Sequence, residues 1–369
     1  MQTQSIQGLI LAAGRGTRMR PFSDTTPKVL LDICGKPLFA YRIDELASGG
    51  ISNITIVCSR DTITKIAAYA EQTYPHLDIE CVVQAEPLGV AHAIETASAS
   101  LRGKQVLLLL GDNLSVQPVT QQLIAKVGGS QTSGAVAVRH VDNPSQFGVV
   151  RVADDRIIEI VEKPLQPPSS LVATGTALLD GDILLQQMAA RGYTMQTADG
   201  KREISAPQYL IAAGYRLAYL ELQSDILDVG RPQDLLSAVA MVVGDSAPWL
   251  GNVDENTDID PSVYVGPRAV IAAGACIQGA CHIDGTVGEG AHIKDSMIMQ
   301  GATVEPHARV ERSVIGEGAR IVAGVEISAE TVPVTVQGQS YDAGAVGMFV
   351  GSGVVVHESR PGATVTSEE

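Results

Sequence analysis

The side chains best suited to chemistry lie in two places, a basic glycine loop near the N-terminus and an aspartate far downstream of it. Gly14-Arg15-Gly16-Thr17-Arg18 follows the apolar run Gly8-Leu9-Ile10-Leu11-Ala12, and Pro27-Lys28 comes after. Glycines let a backbone turn tightly and bring its N–H groups against an anion, and Arg15, Arg18 and Lys28 add positive charge. The combination predicts a cradle for a triphosphate. A strand-to-helix turn with solvated arginines would explain the glycines alone, and explains the Thr-Arg run with a Pro-Lys behind it less well. Asp112 ends Gln105–Leu110, QVLLLL, the most continuous apolar run. Taken alone it suits a turn or a helix cap as well as a functional role. At the carboxyl end of a central strand, and with the glycine loop present, it reads as a carboxylate for a divalent metal.

The elements that must position these residues follow from periodicity. Between residue 8 and about 243, short apolar strands alternate with helical patterns near Pro37–Ser48, Thr62–Gln72 and Gly89–Ala99. Ile54–Cys58, Ile79–Gln84 and Gln105–Leu110 read as strands. Such alternation predicts right-handed crossovers, a parallel sheet and ligands at its carboxyl edge. Gly134–Arg139, Phe147–Val152, Ile157–Val161 and Thr174–Leu179 are strands without long helices between them, so the sheet is expected to be partly mixed. Leu217–Leu222 and a helix begun by Pro232 close the domain. From Ile259 onward, Val265, Ile271, Ile277 and Ile283 recur every six residues, and the pattern resumes through Val287, Ile293, Ile298, Val304, Val310, Ile315 and Ile321. Three such hexads make one triangular coil, which predicts a left-handed parallel β-helix. After about Thr331 the repeat lapses, with a further coil expected at Val350–Val354 and a frayed tail. The expected domains are 1–243, a linker 244–252 holding the single tryptophan, and 253–369.

A formal net charge of −15 argues against nucleic acid as partner, because a phosphate backbone needs a basic surface. A small phosphorylated molecule needs only a local basic pocket. Five scattered cysteines without metal spacing point to reduced thiols and a cytoplasmic protein. Neither a signal peptide nor a membrane span is visible.

Two familiar glycine loops do not fit. Met19 stands where a dinucleotide loop has its third glycine, and no Gly-Lys-Ser/Thr follows as in a P-loop. The stretch GLILAAGRGTRMRPFSDTTPK, Gly8 to Lys28, instead resembles the opening motif of the sugar-1-phosphate nucleotidylyltransferases, with Ser23 where a threonine is usual. The resemblance implies an α/β, Rossmann-like nucleotidyltransferase domain with a mostly parallel mixed sheet, joined to a hexapeptide-repeat β-helix. It implies transfer from a nucleoside triphosphate to a sugar 1-phosphate with Mg²⁺ as cofactor and release of pyrophosphate. Leu11, Ala12, Ala13, Gly14, Gly16 and Thr17 would then hold the nucleotide, Arg18 neutralise the leaving pyrophosphate, and Lys28 reach a phosphate. The family's L-G-D motif matches Leu110-Gly111-Asp112, which implies a metal role for Asp112. The string LDVGRPQDLL resembles the segment that supplies the second metal ligand, here Asp228, although Ile226 replaces an aromatic residue. Asp228 could otherwise cap the Pro232 helix, but Asp234 is closer to that task. Glu162-Lys163-Pro164 matches the E-K-P motif, implying that Glu162 meets sugar hydroxyls and Lys163 the sugar phosphate. Gly148 and Thr174-Gly175 match elements lining the sugar pocket. Lys201 or Arg202 is a weaker phosphate candidate. Gln84 and Gly89 resemble the base-reading element of pyrimidine-using relatives.

The resemblance is closest to glucose-1-phosphate thymidylyl- and uridylyltransferases. The alternatives are a mannose-1-phosphate guanylyltransferase and a regulatory protein that binds nucleotide sugars without turnover. An acetyltransferase role for the β-helix would need a histidine base, and His307 stands there without the tyrosine and basic residues expected around it. Self-association into a homo-oligomer suits the prism better.

Overall fold

The computed structural model describes residues 5–115, 119–128, 132–192, 194–197, 200–223, 226–244, 247–336, 339–358 and 364–365. The chain divides into two compact units that do not follow chain order. One comprises Met1–Gly14 and Phe39–Ile226, the other Arg15–Leu38 and Leu227–Glu369.

The first unit is built on a nine-stranded sheet. Its strands are β1 (Ile6–Ala12), β2 (Asn53–Cys58), β3 (Asp78–Val83), β4 (Gln105–Leu110), β5 (Gly134–His140), β6 (Gly148–Ala153), β7 (Arg156–Glu162), β8 (Leu171–Asp180) and β9 (Ala218–Glu221). The spatial order is 7-6-8-4-1-2-3, with β5 paired to β8 and to β9. β4, β1, β2 and β3 run parallel, whereas β8 lies antiparallel to both β4 and β5. The expected mostly parallel, partly mixed sheet is therefore present. Helices cover both faces of the parallel part, so β1 and β4 need no polar alternation: Leu9, Ile10, Leu107 and Leu109 are fully buried. These helices include α1 (Ala40–Ser48), α2 (Ile63–Thr73) and α3 (Val90–Thr96).

The second unit contains the left-handed β-helix. Its two- and three-residue strands stack into three parallel sheets, and the register joins Val253 to Ile271, Ile271 to Val287, Val287 to Val304 and Val304 to Ile321. The hexad aliphatics of the three sheets meet in one buried core, with Ile277, Ile283, Val287 and Ile315 fully enclosed. The repeat lapses where the sequence indicated. An antiparallel hairpin, Glu330–Val336 with Gln339–Val346, interrupts the coils, after which Phe349–Val350 and Val355–Val356 rejoin the sheets. Residues 359–363 and 366–369, where a frayed tail was expected, lie outside the described residues.

Two non-repeat pieces complete this unit. Helix α4 (Pro232–Val242) packs on the strands at Met297–Ile298 and Val314–Ile315. The segment 15–38 buries Met19, Phe22, Val29, Leu31 and Ile33, and its short ladder Asp32–Ile33 with Lys36–Pro37 also touches α4. No helix among the described residues is long and apolar enough to cross a membrane.

Candidate active site

In the first unit the predicted residues converge on one edge of the sheet. Parallel pairing puts Leu11 opposite Leu110, so the ends of β1 and β4 emerge side by side. The Gly111 N–H donates to the Leu11 carbonyl at 2.8 Å. A side chain at Gly111 would stand 2.9 Å from that oxygen and 3.1 Å from the Ala12 Cβ, so only glycine lets the two ends close up. Gly111 is thereby held against Ala12, and Asp112, half-buried, follows it directly. Gly14 is exposed, with nothing within 4 Å of where its Cβ would be.

Asn113, which the sequence reading gave no role, locks the next strand in place. Its amide donates to the Thr174 carbonyl at 2.8 Å. Gly175, at φ +80°, accommodates the Leu110 side chain, 2.5 Å from a hypothetical Cβ. The Thr174 hydroxyl donates to the Ala137 carbonyl at 3.0 Å, so this pair presents backbone to the edge rather than a free hydroxyl proton. Pairing of Val172 with Val149 and of Gly148 with Glu162 brings the remaining candidates to the same edge. A Cβ on Gly148 would lie 3.1 Å from Glu162 Oε2. Lys163 sits at φ +44°, donates its N–H to the Phe147 carbonyl at 2.9 Å, and holds its ammonium 3.6 Å from Glu162 Oε1.

Beneath this edge is a charge that the sequence gave no sign of. Arg42 of α1 is 1% exposed, pairs with Glu45 and donates to the Asn113 carbonyl at 3.3 Å. Burial pulls its guanidinium down to about 9, while the Asp112 carboxylate opposes that fall. Lone arginines on helices read as solvent-facing, and only this packing reveals otherwise.

Gln84 follows β3 and is buried. Its Nε2 donates to the Gly89 carbonyl at 3.0 Å and lies 3.0 Å from His92 Nδ1. The carbonyl fixes which end of the amide is nitrogen, so Oε1 is left as the acceptor. Gly89 itself takes φ +97° to open α3.

Gly16, Thr17, Arg18, Lys28 and Asp228 belong to the second unit. Gly16 is left-handed at φ +62°, and its Cβ position is 2.7 Å from the Cβ of buried Lys28. The loop's glycine and its lysine are thus packed on one another. Met19 is fully buried and pins the turn Thr17–Met19. Arg18 Nη2 and Asp228 Oδ1 each lie 3.5 Å from where a Gly230 Cβ would be. Asp228 is exposed. At the start of α4 Asp234 accepts from the Gly230 and Arg231 N–H groups at 2.9 and 2.7 Å. Burial pushes the Asp234 carboxyl up to about 6 against those donors. The side chains of Lys201 and Arg202 lie outside the described residues. His307 is an exposed turn residue at φ +60°.

Among the described residues, no three His, Cys, Asp or Glu side chains gather to cage a metal. Asp112 in the first unit and Asp228 in the second each carry hard carboxylate oxygens, the donor type that suits Mg²⁺, an ion that keeps water and takes further ligands from substrate phosphates.

Comparison with known proteins bears on the family of the chain. The nucleotidyl transferase family model matches residues 7–243, and the GMPPB C-terminal domain model matches 250–359. A glucose-1-phosphate thymidylyltransferase of Streptomyces antibioticus is 30% identical over 312 residues, covering 84% of this chain and 85% of that protein. A mannose-1-phosphate guanyltransferase of Hypocrea jecorina is 27% identical over 344 residues, covering 89% and 90%. A solved Bacillus anthracis structure described as a glucose-1-phosphate thymidylyltransferase covers 65% of this chain and 97% of its own, at TM-score 0.58 and 24% identity. At that identity it bears on the fold alone. With a family model spanning most of its length, the chain belongs to the nucleotidyl transferase family, among the sugar-1-phosphate nucleotidylyltransferases.

Proposed function

We propose that this enzyme joins glucose 1-phosphate to dTTP or UTP and releases pyrophosphate. The observation that carries the choice of base is the Gln84 amide. Its NH₂ is spent on Gly89 and His92, so it offers an acceptor. An acceptor suits the ring N3–H of thymine or uracil, whereas cytosine and adenine present an acceptor at the matching ring nitrogen and can meet Gln84 only through their exocyclic amines. Guanine also carries a donor on that edge, which keeps the mannose-1-phosphate guanylyltransferase reading as the alternative. The Hypocrea relative, matching nearly the full length, favours it too.

In this reading the attacking sugar phosphate oxygen approaches the α-phosphorus while pyrophosphate departs. Gly14 and Gly16 turn backbone N–H groups to the triphosphate, and Arg18 meets the charge of the leaving pyrophosphate. Lys28 contributes its charge to the phosphates near the reacting centre. Glu162 accepts from sugar hydroxyls, Lys163 meets the sugar phosphate, and Gly148 with Thr174-Gly175 lets the ring approach backbone. Asp112 and Asp228 are the carboxylates that would serve as ligands to Mg²⁺, which would supply charge neutralisation to the phosphates. We place the reaction in the cytoplasm, consistent with five free cysteines, and carried out by a homo-oligomer.

Pyrophosphate release from a grid of dTTP, UTP, GTP, CTP and ATP against glucose, mannose and N-acetylglucosamine 1-phosphates tests this. Turnover with dTTP or UTP and glucose 1-phosphate is expected. GTP with mannose 1-phosphate as the best pair would establish the alternative. Silence from protein that still binds a nucleotide sugar would make it regulatory.

A further inference from the structure

The segment 15–38 carries Gly16, Thr17, Arg18 and Lys28, yet its partners come from the far end of the chain. The Cys34 N–H donates to His282 Nδ1 at 2.9 Å. His282 is 1% exposed, on a β-helix strand, and because its Nδ1 accepts, the ring is neutral with its proton on Nε2. Tyr264, one coil away in register, packs its ring 5.2 Å from that imidazole. The turn at Gly35, φ +86°, runs so close that a Cβ there would be 2.3 Å from the Tyr264 hydroxyl oxygen. At the other end, Thr25 and Ser352 hydroxyls share a hydrogen bond of 2.9 Å, and Thr26 donates to Glu317 at 3.2 Å. Helix α4 lies against Asp32–Ile33. The segment is thus tied to several coils of the prism, between Arg18 and Lys28 and again after Lys28.

We propose that the β-helix is a working part of nucleotide binding: its coils at Tyr264, His282, Glu317 and Ser352 are the mould that sets the backbone of 15–38, with His282 as the principal positioning residue. The four side chains touch no substrate and act through the loop. This rests on the reading that Arg18 and Lys28 hold triphosphate. Losing the His282 acceptor leaves the Cys34 N–H unpaired in a place that water reaches poorly, so the turn after Lys28 loosens.

The test uses the full chain with His282→Ala and His282→Asn, whose carbonyl replaces Nδ1 as acceptor. Arg309→Ala, on another face of the prism, is the control. Amide hydrogen exchange over 15–38 and triphosphate affinity by calorimetry are read together, with the kinetic constants for triphosphate and sugar phosphate. His282→Ala should speed exchange in 28–38 and weaken triphosphate binding about tenfold, with the KM for sugar phosphate little changed. His282→Asn should restore both, and the control should move neither. Unchanged loop exchange, or unchanged triphosphate affinity in a folded His282→Ala, overturns the proposal. If His282→Ala does not fold, Thr26→Val with Ser352→Ala replaces it, read on the same two measurements with a smaller shift expected, and no shift overturns it. A wild-type chain that binds triphosphate but turns over no substrate pair would defeat the functional reading alone. A wild type that binds no triphosphate defeats both.

Discussion

Gln84 has one polar atom left to offer once Gly89 and His92 have taken its NH₂, and in the proposed reading base choice rests on that acceptor. Replacing it with Leu should weaken dTTP and UTP by about 1–3 kcal/mol, roughly the cost of one unmade buried hydrogen bond. CTP, poorly accepted to begin with, should change least. Competition between triphosphates in one assay measures this directly. The proposed metal role of Asp112 is tested in the same way. Asp112→Asn should reduce turnover by at least about a hundredfold, since a bound metal supplies several kcal/mol, while the far-ultraviolet spectrum stays that of wild type. Chelation of Mg²⁺ should silence the wild type and leave little more to lose in the variant. Activity of Asp112→Asn near wild type would remove Asp112 from the proposed metal pair.

The two loop glycines make different demands on the elements around them. Gly16 is held at φ +62° against the Lys28 Cβ, whereas Gly14 faces open space without a positive φ. Gly16→Ala should therefore cost about 1–2 kcal/mol from the left-handed backbone alone, visible in urea denaturation, and more from the displaced lysine. Gly14→Ala should leave stability unchanged and act only on triphosphate binding. Equal destabilisation by both would contradict the geometry. The strand–loop–strand frame was legible in the sequence because QVLLLL and GLILA are apolar without interruption, which only strands buried on both faces allow. The β-helix was legible because Ile271, Val287, Val304 and Ile321 must each stack on the next. What escaped is what periodicity does not encode. The Asn113 tie to Thr174, the burial of Arg42 and the closeness of Gly111 to Leu11 are contacts between segments distant in sequence. Thr174 shows the same limit from the other side: a motif match marks a residue near a ligand without saying that its hydroxyl is already committed to Ala137.

At the scale of the whole molecule, the neutral imidazole of His282 couples stability to pH. Burial lowers its pKa below 6.5; Asp32 and Asp284 facing it work against that fall and Arg268 adds to it. Between its folded value and 6.5 the unfolded chain binds a proton that the folded chain does not. Stability from this group is therefore full above 6.5 and is lost as pH falls below it, with a slope of at most about 1.4 kcal/mol per pH unit. Urea denaturation of wild type against His282→Asn, from about pH 7.5 to 5, should show that extra slope in wild type only. Parallel curves would mean that His282 titrates alike in both states.

The separation in sequence between the segment 15–38 and its partners also constrains the order of events during synthesis. Cys34 and His282 are 248 residues apart, Thr26 and Glu317 are 291 apart, and Thr25 and Ser352 are 327 apart. At roughly 5–20 residues added per second, the segment 15–38 waits some tens of seconds after its own synthesis for the coils that hold it. The sheet of the first unit has all its strands long before then. A nascent chain stopped near residue 250 would thus hold the acceptor of Gln84 and the carboxylate of Asp112 on a finished sheet, with Met19, Phe22 and Ile33 still uncovered and exposed to chaperones.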